Sequence, residues 1–174
     1  MTVVSELLTL LIPAGLVLYG MYLTIRAMID RELKQQRQEI RSRTTETLTP
    51  IRLQAYERMT LFLERITPNN LLLRLGNAAP TALDLQQLLL REVREEYTHN
   101  LAQQLYMSQE TWELITAALN EVVALINQSA AEVAPDAPAL DLSKRILDRV
   151  IQTNAQPVAP ALRAVKTEVQ RTFL

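Results

Sequence analysis

The chain begins with a strongly apolar pattern, because residues 7–25 contain no charged side chain. A helix of about 20 apolar residues matches the hydrocarbon thickness of a bilayer. Tyr19 and Tyr22 lie near the C-terminal end of this run, where an aromatic belt is typical. A cleaved signal peptide is a less favoured alternative, since no basic segment precedes the run. A buried helix of a soluble protein is the other less favoured alternative. The pattern predicts a transmembrane helix over residues 7–25, preceded by a short external tail at residues 1–6.

A polar segment without Gly or Pro follows over residues 26–48. Acid–base pairs four residues apart, such as Asp30 with Lys34, favour a helical stalk that continues the span into water. The segment is a solvated spacer, a weak coiled-coil seam or a contact with anionic lipid headgroups. Its basic residues are Arg26, Arg31, Lys34, Arg37, Arg41 and Arg43. The positive-inside rule places this side of the membrane in the cytoplasm and the N-terminus outside.

Apolar residues at helical spacing then predict a main helical domain over residues 49–134. Thr49 and Pro50 indicate a new helix start, since Pro is favoured in the first turn. The first apolar stripe is Tyr56, Met59, Leu63 and Ile66. Further along, a Thr81–Asp84 capping box predicts a long helix over residues 82–106. Its stripe is Leu90, Val93, Tyr97, Leu101 and Leu105.

Two further patterns complete the predicted bundle. Ser108 is a candidate N-cap for a helix over residues 109–133, whose heptad-like stripe is Trp112, Ile115, Leu119, Val122 and Ile126. Residues 135–174 read as two shorter helices separated by prolines, the first capped by Asp141. Their apolar positions are Leu142, Ile146, Val150, Leu162, Val165, Val169 and Phe173. The fold class is therefore all-α: one transmembrane helix, a helical stalk and a cytoplasmic helical bundle.

Composition then excludes several classes of function. Of 174 residues, 48% are apolar, so the chain is not disordered. With 0 Cys and 3 Gly, neither a disulfide scaffold nor a Gly-rich phosphate loop is available. A net charge of −1 argues against nucleic-acid binding. No small-molecule substrate or cofactor is indicated.

The candidate metal ligands are Glu92, Glu96 and His99. A Glu-x-x-His pair occurs in di-iron helical bundles, but there it projects into the core. At about 100° per residue, these three residues fall opposite the apolar stripe of their own helix. Metal binding across a homodimer therefore remains only an alternative function, and we expect no metal site in the single chain.

Catalysis has little support, and we expect a non-enzymatic protein. The chain has no Cys, a single His and no strand–turn–helix nucleophile motif. The C-terminal helix carries Arg163, Lys166 and Arg171 on an amphipathic pattern, so peripheral lipid binding is a second alternative.

A run of amide and aromatic side chains marks a candidate interaction site. Its residues are His99, Asn100, Gln103, Gln104 and Tyr106. Such a helix surface followed by a turn suits either a corner within the bundle or a protein interface. We therefore expect a protein partner or self-association.

Three short stretches and Trp112 carry a family resemblance: LERITP at residues 63–68, EYTHN at 96–100 and QQLYMS at 103–108. Over residues 5–120 the chain resembles an uncharacterised family of short, single-span, all-helical membrane proteins from Bacteroidetes. The resemblance implies a bacterial inner-membrane address and implies no activity. Together with the residue patterns, it leads us to expect a membrane-anchored interaction module, either a scaffold or an accessory subunit of a larger complex.

Overall fold

The structure is a computed structural model that describes residues 2–173, with side chains described for residues 15–32, 35–36 and 48–173. Within residues 2–173 the chain forms seven helices and no strand, which confirms the all-α class. The helices are α1 (Thr2–Arg65), α2 (Pro68–Leu75), α3 (Ala82–Asn100), a 3-10 segment (Leu101–Tyr106), α4 (Gln109–Ala130), α5 (Ala139–Thr153) and α6 (Ala159–Phe173). The chain divides into two compact units after Pro50.

The first unit holds the predicted span and stalk. Large apolar side chains between Leu16 and Ile29 are exposed. No helix in the described part of the chain is long and apolar enough to cross a membrane. Part of the predicted features lies outside the described side chains: the tail at residues 1–6, residues 7–14 of the span, and Lys34, Arg37, Arg41 and Arg43 of the stalk.

The predicted helix start at Pro50 is wrong, since α1 continues through this residue to Arg65. A proline inside a helix removes one backbone hydrogen bond, and the helix can continue past it when its next residues pack well. Those next residues do pack well: Tyr56, Met59 and Leu63 of the predicted stripe are each at most 2% exposed. Burial of this stripe, with Ile66, is confirmed.

The core of the second unit lies between the last turns of α1 and helices α2–α6. Helix α4 packs against α3, α5 and α6, so it is the central helix of the bundle. Aromatic rings link three of the helices: the Tyr97 ring lies 6.0 Å from Phe62 and 5.8 Å from Trp112, centroid to centroid. The predicted α4 stripe is buried at Ile115, Val122 and Ile126, whereas its remaining members Trp112 and Leu119 are half-buried.

The start of α3 joins two distant parts of the chain. The Thr81 hydroxyl accepts a hydrogen bond from the Asp84 backbone N–H at 3.2 Å, so the N-cap of the predicted capping box is confirmed. The Asp84 carboxylate accepts from the Thr81 hydroxyl at 2.6 Å. The Ala82 N–H donates to the Ala137 carbonyl at 2.8 Å, in the proline-rich loop that precedes α5. The N–H groups in the first turn of a helix have no partner within it, and this loop supplies one.

The predicted continuation of α3 to residue 106 is wrong, because the α-helix ends at Asn100 and a 3-10 segment follows. Asn100 has φ −102° and ψ 3°, outside helical geometry. A 3-10 helix has 3.0 residues per turn, so apolar positions placed at α-helical spacing turn away from the core. Leu101 and Leu105 are therefore 39% and 80% exposed. Of the rest of the predicted stripe, Val93 is buried and Leu90 and Tyr97 are half-buried against the core, which also contains Leu85 and Leu89.

The predicted caps of the last helices differ in outcome. Ser108 caps α4 by accepting from the Thr111 N–H at 3.3 Å, as predicted. Asp141 does not cap α5, since this helix begins at Ala139 after Pro138 and Asp141 lies in its first turn. An acidic residue in the first turn also complements the helix dipole. A sequence pattern alone therefore does not distinguish an N-cap Asp from an Asp in the first turn.

Candidate functional site

The predicted interaction residues lie at the corner between α3 and the 3-10 segment. His99 and Gln104 are exposed and Gln103 is half-buried. Asn100 is 6% exposed, and its side-chain amide donates to the Glu96 carbonyl at 2.8 Å. The Tyr106 carbonyl accepts from the Tyr56 hydroxyl at 3.1 Å. Asn100 and Tyr106 therefore form hydrogen bonds within the bundle.

The predicted metal candidates lie along the second half of α3. Glu96 forms an ion pair with Arg65, with 2.6 Å between the Arg65 Nη2 and the Glu96 Oε1. Glu92 is half-buried and His99 is exposed. In the part of the chain with described side chains, no group of three or more His, Asp or Glu residues is placed to hold a metal ion.

A groove between α1 and α6 lies on the surface of the second unit. We call it the α1–α6 groove; its volume is about 560 Å³. It is lined by Leu53, Tyr56, Glu57, Thr60 and Glu64 of α1 and by Leu162, Val165, Lys166, Val169 and Gln170 of α6. The first and last α1 positions, Leu53 and Glu64, are eleven residues apart, so the groove is about 16 Å long.

The groove has an apolar floor and a polar rim. Leucine and valine side chains of both helices, together with the Tyr56 ring, supply the apolar surface. Glu57 and Glu64 are exposed on the α1 side, and Lys166 is exposed on the α6 side. This arrangement of an apolar centre and a charged margin is typical of surfaces that bind a helix of another protein.

Tyr56 connects the groove to a buried polar cluster, which we call the Glu168 cluster: Glu168, Tyr56, Ser108 and Thr111. The Glu168 Oε1 accepts from the Tyr56 hydroxyl and from the Ser108 backbone N–H, both at 2.8 Å. The Glu168 Oε2 accepts from the Ser108 hydroxyl at 2.7 Å. One carboxylate of α6 thereby joins α1 to the first turn of α4.

These contacts shift the acidities of two groups. Burial raises the pKa of the Glu168 carboxyl, but the hydrogen bonds from Thr111, Ser108 and Tyr56 outweigh burial and hold the pKa below its ordinary value. Burial raises the pKa of the Tyr56 phenol, and the adjacent Glu168 raises it further. The cluster therefore contains an ionised carboxylate and a neutral phenol near neutral pH.

The end of α6 is attached to α1 by a second set of contacts. The Phe173 ring meets the Tyr56 ring edge-on, with 6.0 Å between centroids and an interplanar angle of 80°. The Arg52 guanidinium lies over the Phe173 ring, 5.8 Å from the ring centroid. Ala161 and Val165 of α6 are buried, so the apolar face considered for lipid binding packs within the bundle.

The sequence interpretation did not identify Glu168 or the α1–α6 groove. A signal for Glu168 was present, because it follows Ala161 and Val165 at +7 and +3, on the apolar side of its own helix. The groove left no comparable signal, since its two walls come from helices almost 100 residues apart in the chain.

The fold and the groove define the class of this protein: an all-helical bundle that carries, among the described residues, an apolar groove with a charged rim. The chain belongs to a family of unknown function, DUF7935, whose model matches residues 2–172. The match confirms membership of an uncharacterised family, and it extends through the C-terminal helices. Neither the curated proteins nor the solved structures contain a match to the chain.

Proposed function

We propose that the chain is a membrane-anchored, non-enzymatic protein-interaction module, which binds an amphipathic helix of a protein partner in its α1–α6 groove. The observation that carries this proposal is the groove itself, with its apolar floor and charged rim. Both walls present side chains at helical spacing, which suits the ridges of a third helix. A groove of about 16 Å accommodates about three turns of such a helix.

The charges on the rim favour a particular partner surface. Glu57 and Glu64 lie seven residues apart on α1, so the two carboxylates follow one edge of the groove. A partner helix with basic residues along the matching edge complements them. Charge complementarity of this kind contributes mainly to the association rate and the orientation of binding.

The membrane anchor in this proposal is the apolar part of α1. Residues 7–25 are uncharged, and Leu16, Leu18 and Leu23 are exposed on the described part of this segment. Exposed apolar side chains of this kind are stable when lipid surrounds them. The basic residues that follow place the helical domain on the cytoplasmic side of a bacterial inner membrane, with the N-terminus outside. In this proposal the chain spans the inner membrane of a Bacteroidetes bacterium once and acts as a scaffold or as an accessory subunit of a larger complex.

The experiment isolates the tagged full-length chain from its own membranes in mild detergent and determines the mass and composition of the complex. We expect a stoichiometric protein subunit in addition to the 19.8 kDa chain. Glu substitutions at Leu53 and Thr60 place charge in the groove at exposed positions, so the fold is retained while the subunit is lost.

Matched controls carry Glu at Leu73 and Asn120, which are exposed outside the groove. These controls must keep the subunit. A complex whose composition is the same in the groove variant and in the control would contradict the proposed function.

A further inference from the structure

Helix α5 carries an apolar stripe that the core of the bundle does not use. Its residues Leu140, Leu147 and Ile151 are 55%, 36% and 76% exposed. We call them the α5 stripe. Their spacing of +7 and +4 puts them on one line along the helix, within about 40° at about 100° per residue. Lys144 falls on the same line, between the first and second members.

The other sides of α5 are already occupied within the chain. Leu142 and Ile146 are buried in the core. Arg145 and Arg149 form ion pairs with Glu132 at the end of α4. The α5 stripe therefore faces outward.

The stripe is complementary to itself when two copies of α5 run antiparallel. With the helices aligned about their midpoint, Leu140 of one copy faces Ile151 of the other, and the two-fold axis repeats this pair. In the same register Lys144 lies level with Leu147 of the other copy and one residue, about 1.5 Å along the axis, from Asp148, and the two-fold axis repeats this approach. Parallel α5 helices would instead set Lys144 against Lys144, and like charges at such positions are destabilising.

We propose that a second copy of this chain docks on the α5 stripe, forming a two-fold dimer with antiparallel α5 helices. The apolar pairs bury the exposed leucine and isoleucine side chains, and the Lys144–Asp148 pairs set the direction of the helices. This surface is separate from the α1–α6 groove, so each of the two proposals can fail without the other.

Cysteine cross-linking of the full-length chain tests the arrangement, because the natural sequence contains 0 Cys. The two variants are Leu140→Cys and Ile151→Cys, both at exposed positions. In the antiparallel dimer, identical variants hold their two thiols about 16 Å apart, eleven residues along the helix. A disulfide requires Cβ atoms about 4 Å apart, so only the mixture of the two variants brings the thiols together.

We expect a disulfide-linked dimer in the mixture and none in either variant alone. Disulfides within each single variant would indicate parallel helices and overturn the proposal. A chain that remains monomeric in detergent, or that associates without cross-linking in the mixture, overturns it as well.

Charge reversal gives an independent readout that a purely structural role of these residues would not produce. Lys144→Asp and Asp148→Lys each place like charges across the two-fold axis, so each variant alone dimerises more weakly. Mixing the two variants restores opposite charges across the interface, so the heterodimer forms in preference to either homodimer. Equal association of the mixture and of the separate variants, measured by native mass spectrometry, contradicts the proposed register.

Discussion

At the scale of single residues, Glu168 is a charged side chain in the interior of the bundle, where it is 6% exposed. Its carboxylate receives hydrogen bonds from Tyr56 on α1 and from Ser108 at the start of α4. A negative charge is also favoured at the N-terminus of a helix, where the backbone N–H groups lack intrahelical partners. The residue therefore stabilises the meeting point of three helices.

Removing this carboxylate leaves the Ser108 backbone N–H without its acceptor, whereas the Tyr56 hydroxyl keeps the Tyr106 carbonyl. We expect Glu168→Ala to lower the free energy of unfolding by about 1–3 kcal/mol, the usual cost of an unsatisfied buried polar group. Urea denaturation of the full-length chain in detergent, followed by circular dichroism, measures the change. The exposed Glu113 provides a matched control, and an equal effect of Glu113→Ala would show that the Glu168 contacts contribute nothing specific.

The lowered pKa of Glu168 also predicts a dependence of stability on pH. In the unfolded chain the carboxyl titrates at its ordinary pKa, so the folded state binds fewer protons in the window below that value. The stabilisation by Glu168 is therefore present above the ordinary pKa and is lost as the pH falls through the lowered, folded-state pKa. Unfolding measured across this acidic window should show a shallower slope for Glu168→Gln than for the natural chain. Parallel slopes would contradict the assignment.

Residue-scale features were only partly predictable from the sequence. The burial of Tyr56 and Met59 follows from helical periodicity, which is local information. The burial of Glu168 depends on donors from α1 and α4, which reach it only in the folded chain. The sequence interpretation grouped Arg163, Lys166 and Arg171 of the same helix by charge, and charge alone does not distinguish a buried acid from a solvated one.

At the scale of secondary-structure elements, the helix starts at Thr81 and Ser108 were predictable, whereas those predicted at Pro50 and Asp141 were wrong. Thr81 and Ser108 cap α3 and α4 through hydrogen bonds to residues three positions later, so the signal is local. The end of α3 at Asn100 and the 3-10 segment after it depend on how the corner packs, including the Tyr106 carbonyl bonded to the Tyr56 hydroxyl. Pro50 lies within α1, and the apolar stripe that follows it in the same helix is buried in the core.

The N-cap of α3 supports an element-scale prediction. We expect Thr81→Ala to lower the free energy of unfolding by about 1 kcal/mol, since it removes the acceptor for the Asp84 N–H. Thr98 lies exposed on the same helix and caps nothing, so Thr98→Ala serves as the control and should change stability little. A loss no larger for Thr81→Ala than for Thr98→Ala in urea denaturation would contradict a stabilising role of the cap.

At the scale of the whole molecule, the pattern of apolar positions predicts the all-α class but not the α1–α6 groove. Its walls begin at Leu53 and Leu162, so only the folded bundle brings them together. The class follows from helical periodicity along the whole chain, whereas the position of a groove depends on how helices distant in sequence pack.

The proposed membrane anchor leads to a prediction for the whole chain. We expect the natural chain to stay in the membrane fraction after an alkaline carbonate wash. Leu18→Arg should reduce this fraction, because an arginine near the centre of a span costs about 2.5–3.5 kcal/mol. Gln36→Arg, in the predicted stalk, is the matched control and should remain in the pellet. Release of the natural chain by the wash, or equal retention of both variants, would contradict the anchor.

Site-specific photo-cross-linking in intact cells tests whether the α1–α6 groove binds a protein partner. A photoreactive amino acid at Thr60 or Lys166 places the probe on opposite walls of the α1–α6 groove, and one at Asn120 places it outside. We expect both groove positions to cross-link to the same protein partner and the position on α4 not to do so. Cross-linking to that partner from Asn120 alone, or no protein adduct from either groove position, would contradict partner binding in the groove.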